Sequence, residues 1–279
     1  MTIINTVTTA PDIKTGAREV KPTSFPTEVL PPEGYNALSK ATIVAPDNLE
    51  PENIKKGVDI AGVVGTLDAV AGASKLPQVV DRTVTEITAE DLKGCTKIGY
   101  NAFSSCKNLI TVTIPDVVTE FDESAFNRCY KLTSINIPDG LTKIGRYCFG
   151  SCYKLTTLTL PNSLTTLIEY AFANCNALES IILSSNLTSI PDNCFANDSS
   201  LPSIDIPASV TRIGFNAFIN CDSLASVIMR SSTPPTLISQ AFLNTSSDLV
   251  ITVPEGSLSA YQSATNWSQY ADKMVEASE

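Results

Sequence analysis

Residues 144–161 read IGRYCFGSCYKLTTLTLP, and variants of this stretch recur along the chain of 279 residues. The sixth residue of the stretch is a phenylalanine, and in the same register phenylalanines recur with a 23-residue period that lengthens by one residue at its last step. They are Phe103, Phe126, Phe149, Phe172, Phe195, Phe218 and Phe242. A repeat of this length predicts a solenoid, because no single unit can bury its apolar face and neighbouring units must cover it.

Other residue types keep the same spacing. Leucine follows each of the first six phenylalanines by six residues. Cysteine follows five of these phenylalanines by three residues, and Asp198 takes the place of cysteine in the remaining unit. Proline closes four of the units, at Pro115, Pro138, Pro161 and Pro207. These coincident positions establish the repeat independently of any one residue type.

The strand of each unit is visible in residues 155–161. Leu158 and Leu160 alternate with threonines, which is the two-residue period of a strand with one buried face. Pro161 then ends the strand, because proline cannot donate a backbone hydrogen bond. A second extended piece is predicted over residues 164–167. Stacked copies would place parallel strands about 4.8 Å apart on one face of the solenoid.

The segment after the second extended piece has the spacing of a helix. Ile168, Ala171, Phe172 and Cys175 lie at i, i+3, i+4 and i+7, along one face of about two helical turns. The predicted fold class is therefore an α+β repeat solenoid, in which each 23-residue unit contributes parallel strands and a short helix.

These residues resemble a known family, the BspA-type leucine-rich repeats. The family pattern, I-G-x-x-A-F-x-x-C-x-x-L-x-x-I-x-I-P, matches residues 144–161 and again the chain from Ile213 onward. The resemblance covers residues 82–254 and continues through Tyr261 and Trp267, where the chain is similar to the family's C-terminal cap, a short helix with a buried aromatic. The resemblance implies the solenoid fold, and for function it implies only a general binding scaffold.

The chain before the repeats differs in composition. Residues 1–32 are rich in threonine and proline, which favours an extended arm with little core of its own. Residues 33–68 combine a predicted short helix with strand-like runs in a small β-rich module, and residues 69–80 are a linker. The predicted solenoid spans residues 81–254, and the predicted C-terminal cap spans residues 255–279.

Part of the small module has a resemblance of its own. Residues 52–66 read ENIKKGVDIAGVVGT and resemble a module of tail and fibre proteins of phages that infect Gram-positive bacteria. This resemblance, over residues 33–67, implies a virion protein assembled in the bacterial cytoplasm, whose arm at residues 1–32 docks on other virion proteins. Residues 1–9 lack the basic and apolar regions of a secretory signal, which agrees with that expectation.

Composition and charge exclude several functional classes. The chain has 19 lysines and arginines against 29 acidic residues, and a net charge of −10 disfavours binding to nucleic acid. It contains no histidine, which removes Ser-His-Asp and Cys-His catalytic pairs and histidine-ligated metal sites. Its apolar runs are far shorter than the roughly 20 residues of a membrane-spanning helix. The sequence thus predicts no enzyme activity, no cofactor, no metal site and no membrane insertion.

The cysteines and one group of acidic residues each have a structural and a chemical interpretation. All eight cysteines fall at apolar positions of the repeat. Disulfides or a metal site are the alternatives, and buried free thiols that bond to neighbouring backbone are the prediction. Asp116, Glu120, Asp122 and Glu123 cluster within one unit. A carboxylate pair for glycoside hydrolysis or a calcium site is the alternative to solvated surface charge, and solvated charge is the prediction.

Two sets of surface positions are candidates for partner binding. Tyr130 and Tyr153 occupy equivalent positions in neighbouring units, as do Tyr147 and Tyr170, and such tyrosines would either form a sugar platform or shield the convex edge. The second set is an outward strip along the strands, polar at first and apolar towards its C-terminal end, where its isoleucines are predicted to be exposed. The strip includes Thr157, Thr159, Ile182, Asp205 and Ile228.

The predicted function is that of a non-enzymatic phage virion protein, in a tail fibre, baseplate or head decoration, whose repeats attach to a glycan or protein of the host surface. The alternative is a bacterial adhesin that is secreted or held at the cell surface. In both cases the protein binds without chemistry, and many copies sum weak contacts to a strong attachment. The sequence leaves the receptor and the homo-oligomeric state open.

Overall fold

The computed structural model describes residues 83–278. The predictions for residues 1–32, 33–68 and 69–80 lie outside the described residues. Within the described part, the chain winds through about eight turns of a solenoid built from short parallel strands.

Each full turn of the solenoid contributes two short strands. In chain order the strands are β1 (Glu86–Ile87), β2 (Lys97–Ile98), β3 (Thr111–Val112), β4 (Glu120–Phe121), β5 (Ser134–Ile135), β6 (Lys143–Ile144), β7 (Thr157–Thr159), β8 (Thr166–Leu167), β9 (Ser180–Ile182), β10 (Ser189–Ile190), β11 (Ser203–Ile206), β12 (Arg212–Ile213), β13 (Ser226–Met229), β14 (Thr236–Leu237), β15 (Val250–Val253) and β16 (Met274–Glu276). The odd-numbered strands form the first side of the solenoid, with β16 added beside β15, and the even-numbered strands up to β14 form the second side.

The repeat period sets the strand register. Ile144 of β6 pairs in parallel with Leu167 of β8, which is the residue at the equivalent position of the next unit. In the last unit Ile213 of β12 pairs with Leu237 of β14. These paired residues are one position further apart in the sequence than in the earlier units, as are the last two phenylalanines of the repeat. The alternation within each strand places one residue inward and the next outward: in β7 the middle leucine is buried and both threonines are exposed.

The helix predicted over residues 168–175 is wrong, because this segment consists of consecutive turns. Tyr170 and Asn174 have φ of 61° and 64°, in the left-handed region that interrupts a right-handed helix. The backbone N–H of Phe172 donates to the carbonyl oxygen of Cys194 in the next turn at 3.0 Å, whereas a helix would bond it within the segment. Hydrogen bonds between neighbouring turns therefore replace the hydrogen bonds of a helix. The apolar side chains of Ala171, Phe172 and Cys175 still point into the core.

Residues with a left-handed backbone conformation recur in every unit, two positions before and two positions after the repeated phenylalanine. Asparagine suits them, because its short polar side chain tolerates this conformation. In four successive turns the asparagines after the phenylalanine also bond to one another through their amides, at 2.8 to 3.0 Å. They are Asn174, Asn197, Asn220 and Asn244.

A column of stacked phenylalanines runs through the core. Neighbouring rings from Phe103 to Phe242 are 5.2 to 5.5 Å apart and within 8° of parallel. Every one of these rings is buried. Contacts between stacked rings stabilise a fold beyond the effect of burying their apolar area. The column therefore favours the register in which successive turns align their phenylalanines.

All eight cysteines are free and buried. Four thiols of the column donate to the carbonyl oxygen of the phenylalanine in the preceding turn, at 3.1 to 3.3 Å. They belong to Cys129, Cys152, Cys175 and Cys221. These positions agree with the prediction of buried thiols that bond to neighbouring backbone.

The C-terminal end of the solenoid is covered by the helix α1 (Leu258–Ser263) and a 3₁₀ helix (Ser268–Lys273). The hydroxyl of Tyr261 donates to the carbonyl oxygen of Ser231 at 2.8 Å, and Nε1 of Trp267 donates to that of Pro235 at 2.8 Å. These bonds hold the loop of the last unit against the cap. In residues 83–278, no helix is both long enough and apolar enough to cross a bilayer.

Candidate binding surface

Each pair of equivalent tyrosines forms a stack. The rings of Tyr130 and Tyr153 have centroids 5.0 Å apart and planes 6° apart, and those of Tyr147 and Tyr170 have centroids 4.5 Å apart and planes 21° apart. Each ring covers one face of its partner. A ligand therefore has access at most to the outer faces, the ring edges and the hydroxyl groups.

A cation lies close to each tyrosine stack. Nζ of Lys107 is 5.7 Å from the ring centroid of Tyr130. The guanidinium carbon of Arg146 is 5.2 Å from the centroid of Tyr147 and 5.6 Å from that of Tyr170. Contacts of this kind contribute about 0.5–1 kcal/mol at exposed sites. Arg146 is thereby held against two rings at once.

A groove of about 410 Å³ opens beside Arg146. It is lined by Tyr100, Asp122, Glu123, Lys143, Gly145, Arg146 and Ile168. These residues come from four successive turns, so the groove follows the solenoid axis for about 14 Å, three strand spacings of about 4.8 Å each. Its lining combines two carboxylates, two cations and two apolar or aromatic side chains.

Opposite charges are paired along the groove. Nζ of Lys143 lies 3.7 Å from Oδ1 of Asp122 and 4.0 Å from Oε2 of Glu120. Nζ of Lys97 lies 3.2 Å from the same oxygen of Glu120. The parallel register places Lys97, Glu120 and Lys143 side by side in three successive strands. Two members of the predicted acidic cluster are thus held by lysines.

Gly145 brings two turns of the solenoid into close contact at the groove. A Cβ on Gly145 would lie 2.5 Å from the backbone carbonyl carbon of Asp122 and 2.6 Å from the backbone nitrogen of Glu123. No side chain fits in that space, so glycine is a packing requirement here.

The predicted outward strip on the first side of the solenoid is solvent-accessible over β7 and β9. Thr157, Thr159 and Ile182 are exposed there, and the exposed fraction of Ile182 is 59%. An isoleucine this accessible is available for contact with a partner.

Further along the strip, Ile228 is half-buried, although the sequence predicts it to be exposed. Its strand is paired on both sides, with Asp205 and Thr252 as its neighbours in register. Asp205 is exposed and accepts two-pronged hydrogen bonds from Arg230, at 2.7 to 3.1 Å. The apolar end of the strip therefore carries an ion pair beside its second isoleucine.

The first side is interrupted within the strip. Strand pairing ends at β5 and resumes at β7, and a depression of about 320 Å³ lies there, lined in part by Ile137, Thr157 and Thr159. On the opposite side of β5 from this break, the Asn136 amide bonds to the backbone of the preceding turn. Its Nδ2 donates to the carbonyl oxygen of Ile114 at 2.8 Å, and its Oδ1 accepts from the N–H of Ile114 at 2.6 Å.

These surfaces offer groups that bind polar ligands. The groove presents carboxylates that accept hydrogen bonds, a guanidinium that donates them, and one aromatic hydroxyl, which can do both. Over residues 83–278, no group of three or more cysteine, aspartate or glutamate side chains has the arrangement of a metal site.

The 23-residue period, the parallel strands and the phenylalanine column correspond to one family. The family model for the BspA type leucine-rich repeat region matches residues 82–201 and 123–249, with six copies of the repeat. This chain belongs to the BspA-type leucine-rich repeat family. The match includes the tyrosine stacks, the groove and most of the strip.

Three solved structures are similar to this BspA-type chain. A leucine-rich cell surface protein from Faecalibacterium prausnitzii A2-165 is 25% identical over 64% of this chain and 66% of its own, with a TM-score of 0.46. A leucine-rich repeat protein of T. pallidum is 22% identical over 71% of this chain and 86% of its own, with a TM-score of 0.42. The pneumococcal vaccine antigen PcpA is 14% identical over 74% of this chain and 43% of its own, with a TM-score of 0.47. The chain thus spans just under two thirds of the length of the F. prausnitzii protein. No curated protein matches it.

The BspA-type repeats place residues at the groove that periodicity alone did not indicate. Lys143, Arg146 and Ile168 are examples. A signal for Arg146 exists in the sequence, because it stands three residues before a phenylalanine of the column, as Glu123 and Glu169 do in the adjacent units. Aligning the units by their exposed positions, rather than by their buried ones, would have shown a cation between two carboxylates next to a tyrosine pair.

Proposed function

We propose that this protein is a non-enzymatic binding protein which a bacterium displays on its surface or secretes, and that its repeats contact a glycan or a protein. One observation carries the proposal: exposed and half-buried side chains of successive turns stand in columns on the surface of a packed core. The tyrosine stacks, the groove and the strip are all such columns. A solenoid with this property presents an extended surface that many weak contacts can share.

The chemistry of the chain supports binding without catalysis. The sequence has no histidine, and its eight thiols are buried. The carboxylates Glu120 and Asp122 lie within 4.0 Å of the Lys143 ammonium, and this ion pairing favours a structural or ligand-binding role for them.

Burial of the cysteines is compatible with a place outside the cell. Exposed free thiols form disulfides in oxidising surroundings, but thiols packed in a core are shielded from oxidants. The similar protein from F. prausnitzii is described as a cell surface protein, and we propose the same location for this chain.

The alternative location is a phage virion. It rests on the resemblance of residues 33–67, and the family match begins only at residue 82. A virion protein would use the arm at residues 1–32 to dock on other virion proteins and would present the repeats outward.

Labelling with an antibody against residues 83–278 distinguishes the two locations. We expect label on intact cells of the source bacterium. Label on phage particles together with unlabelled intact cells would overturn the surface location and support the virion. Label that appears only after the cells are lysed, with phage particles unlabelled, would contradict both.

Binding itself is tested with the full-length chain coupled to beads, on an array of saccharides and extracellular proteins. We expect retention on a defined subset of spots. Ile182→Asp and Tyr153→Ala alter exposed columns and should each be compared with Lys154→Ala, an exposed position outside the groove. Retention on no spot, or turnover of a ligand by the soluble chain, would overturn the proposed function.

A further inference from the structure

Arg146 is the one groove cation that has no carboxylate partner in the described part of the chain. Lys143, the other cation of the groove, lies within 4.0 Å of two carboxylates. Among residues 83–278, no group accepts a hydrogen bond from the Arg146 guanidinium or forms an ion pair with it. The ring contacts with Tyr147 and Tyr170 hold it instead. Its donors therefore stay available to a ligand.

A guanidinium in this setting selects for a carboxylate. Its planar fork of N–H donors matches the two oxygens of a carboxylate, which it can bind through two parallel hydrogen bonds. Arg146 is exposed, and its contacts with two rings restrict its motion before a ligand arrives. Less conformational entropy is then lost when the ligand binds.

The rest of the groove suits hydroxyl groups. Asp122 and Glu123 line it together with Arg146, and ionised carboxylates accept hydrogen bonds from hydroxyls. Tyr100 and Ile168, from the first and last of its four turns, provide apolar or aromatic surface. Its volume, about 410 Å³, lies within the range of small-ligand sites, about 300–1,000 Å³.

The surrounding charge disfavours polyanions. Glu123 and Glu169 stand at the same position as Arg146 in the adjacent turns, and the net charge of the chain is −10. A ligand with closely spaced phosphates would be repelled by these carboxylates. A ligand with one carboxylate and several hydroxyls would instead place its carboxylate on the guanidinium and its hydroxyls on the carboxylate acceptors of the groove.

We propose that this groove binds a sugar acid, such as a uronic or sialic acid residue of a glycan, with the sugar carboxylate on Arg146 and its hydroxyls on Asp122 and Glu123. The inference rests on the proposed function, because it names the ligand class of a binding surface. Ile168 and the ring edges of the tyrosine stack contact the apolar face of the sugar.

The test uses the full-length chain and three probes: the methyl glycoside of galacturonic acid, its carboxyl-reduced counterpart methyl galactoside, and 3′-sialyllactose. Calorimetry or surface plasmon resonance measures their affinities. We expect at least one of the two acids to bind, and the reduced sugar to bind about ten- to a hundredfold more weakly, as expected for the loss of a charge-assisted hydrogen-bonded pair. Affinity should also fall with added salt.

Matched variants assign the effect to Arg146. Arg146→Ala should weaken binding of the acid about ten- to a hundredfold and leave that of the reduced sugar unchanged. Arg146→Lys should restore only part of the affinity, because lysine lacks the planar fork. Lys154→Ala removes an exposed positive charge outside the groove and should leave both affinities unchanged. Thermal unfolding checks that each variant is folded.

Any one of three results would overturn the inference: neither acid binds, the acid and the reduced sugar bind equally, or Arg146→Ala has no effect. If the bead array still shows retention that Ile182→Asp abolishes and Arg146→Ala does not, the groove is not the site while the proposed function stands. If no ligand is retained at all, the proposed function fails together with the inference.

Discussion

Asp198 replaces cysteine at one position of the buried column, and its carboxyl group is fully buried. Its Oδ1 accepts a hydrogen bond from the N–H of Cys175 at 2.8 Å, and its Oδ2 has no hydrogen-bond partner among the described residues. Burial raises the pKa of the Asp198 carboxyl well above its usual range, and the bond from Cys175 lowers it only in part. The charged form is therefore the unfavourable one in the folded chain.

This arrangement predicts a dependence of stability on pH. The pKa of Asp198 in the folded chain lies above the unfolded value of about 3.9. The contribution of the protonated carboxyl to folding stability is therefore fully present below a pH of about 3.9, and it is lost as the pH rises through the folded pKa. We expect Asp198→Asn, which keeps an acceptor and adds a donor, to raise the free energy of unfolding at pH 8 by about 1–3 kcal/mol and to have a smaller effect at pH 4.

Urea unfolding of the wild type and Asp198→Asn at both pH values measures this difference. The control is Asp222→Asn, because Asp222 is exposed in the next unit. An Asp198→Asn effect that is equal at pH 4 and pH 8, or that matches the control, would show that the buried carboxyl does not titrate as argued.

At the scale of single elements, residues 168–175 separate the features that the sequence predicts from those that it does not. The spacing of Ile168, Ala171, Phe172 and Cys175 indicates which side chains point inward, and all but the first are buried. The same spacing cannot distinguish a helix from a series of turns. That choice depends on whether a backbone N–H bonds within its own unit or to the next one, and the partner in the next unit comes close only in the folded chain.

The close contact between turns at Gly145 gives an element-scale prediction. Gly145→Ala should lower the free energy of unfolding by about 1–3 kcal/mol, because the added Cβ meets backbone atoms of Asp122 and Glu123 that cannot move aside without shifting a turn. Chemical denaturation measures the change.

Gly140→Ala provides the matched control in the same unit. A Cβ there would lie 3.7 Å from the carbonyl oxygen of Asp116, an ordinary contact. We expect this variant to stay within about 0.5 kcal/mol of the wild type. Equal effects at the two glycines would contradict the role given to the close approach at Gly145.

At the scale of the whole molecule, the cap closes the open end of the core. The ring of Trp267 is fully buried, 6.1 Å from that of Phe242, the last member of the phenylalanine column. We expect Trp267→Ala to destabilise the chain by about 3–5 kcal/mol, because a large ring and a buried hydrogen bond to Pro235 are both lost. Ser268→Ala, at an exposed neighbour, should have little effect.

Thermal unfolding and size-exclusion chromatography test the role of the cap. A solenoid whose terminal apolar face is uncovered tends to associate. Trp267→Ala should therefore unfold at a lower temperature and show larger species at high concentration. A variant as stable and as monodisperse as Ser268→Ala would mean that the solenoid does not need this ring.

Thiol reactivity provides the second test of the whole molecule. Burial raises the pKa of the thiols of Cys129, Cys148, Cys152, Cys175 and Cys194 well above the usual value, so little reactive thiolate forms. We expect the native chain to react slowly with DTNB, and the chain unfolded in guanidinium to release eight equivalents, one for each free cysteine. Fewer than eight equivalents after unfolding would indicate disulfides, and rapid reaction of the native chain would indicate exposed thiols.

The sequence by itself determined the period, the parallel register, the inward faces and the burial of the cysteines, because all of these follow from which side chains avoid water at a constant spacing. It also identified both tyrosine pairs. Only the tertiary structure decided that turns replace the short helices, that stacking covers one face of each tyrosine, and that Arg146 lies in a groove with Asp122 and Glu123. These features depend on hydrogen bonds and exposed contacts between neighbouring turns, and residues one repeat apart in the chain meet there only once the solenoid has formed.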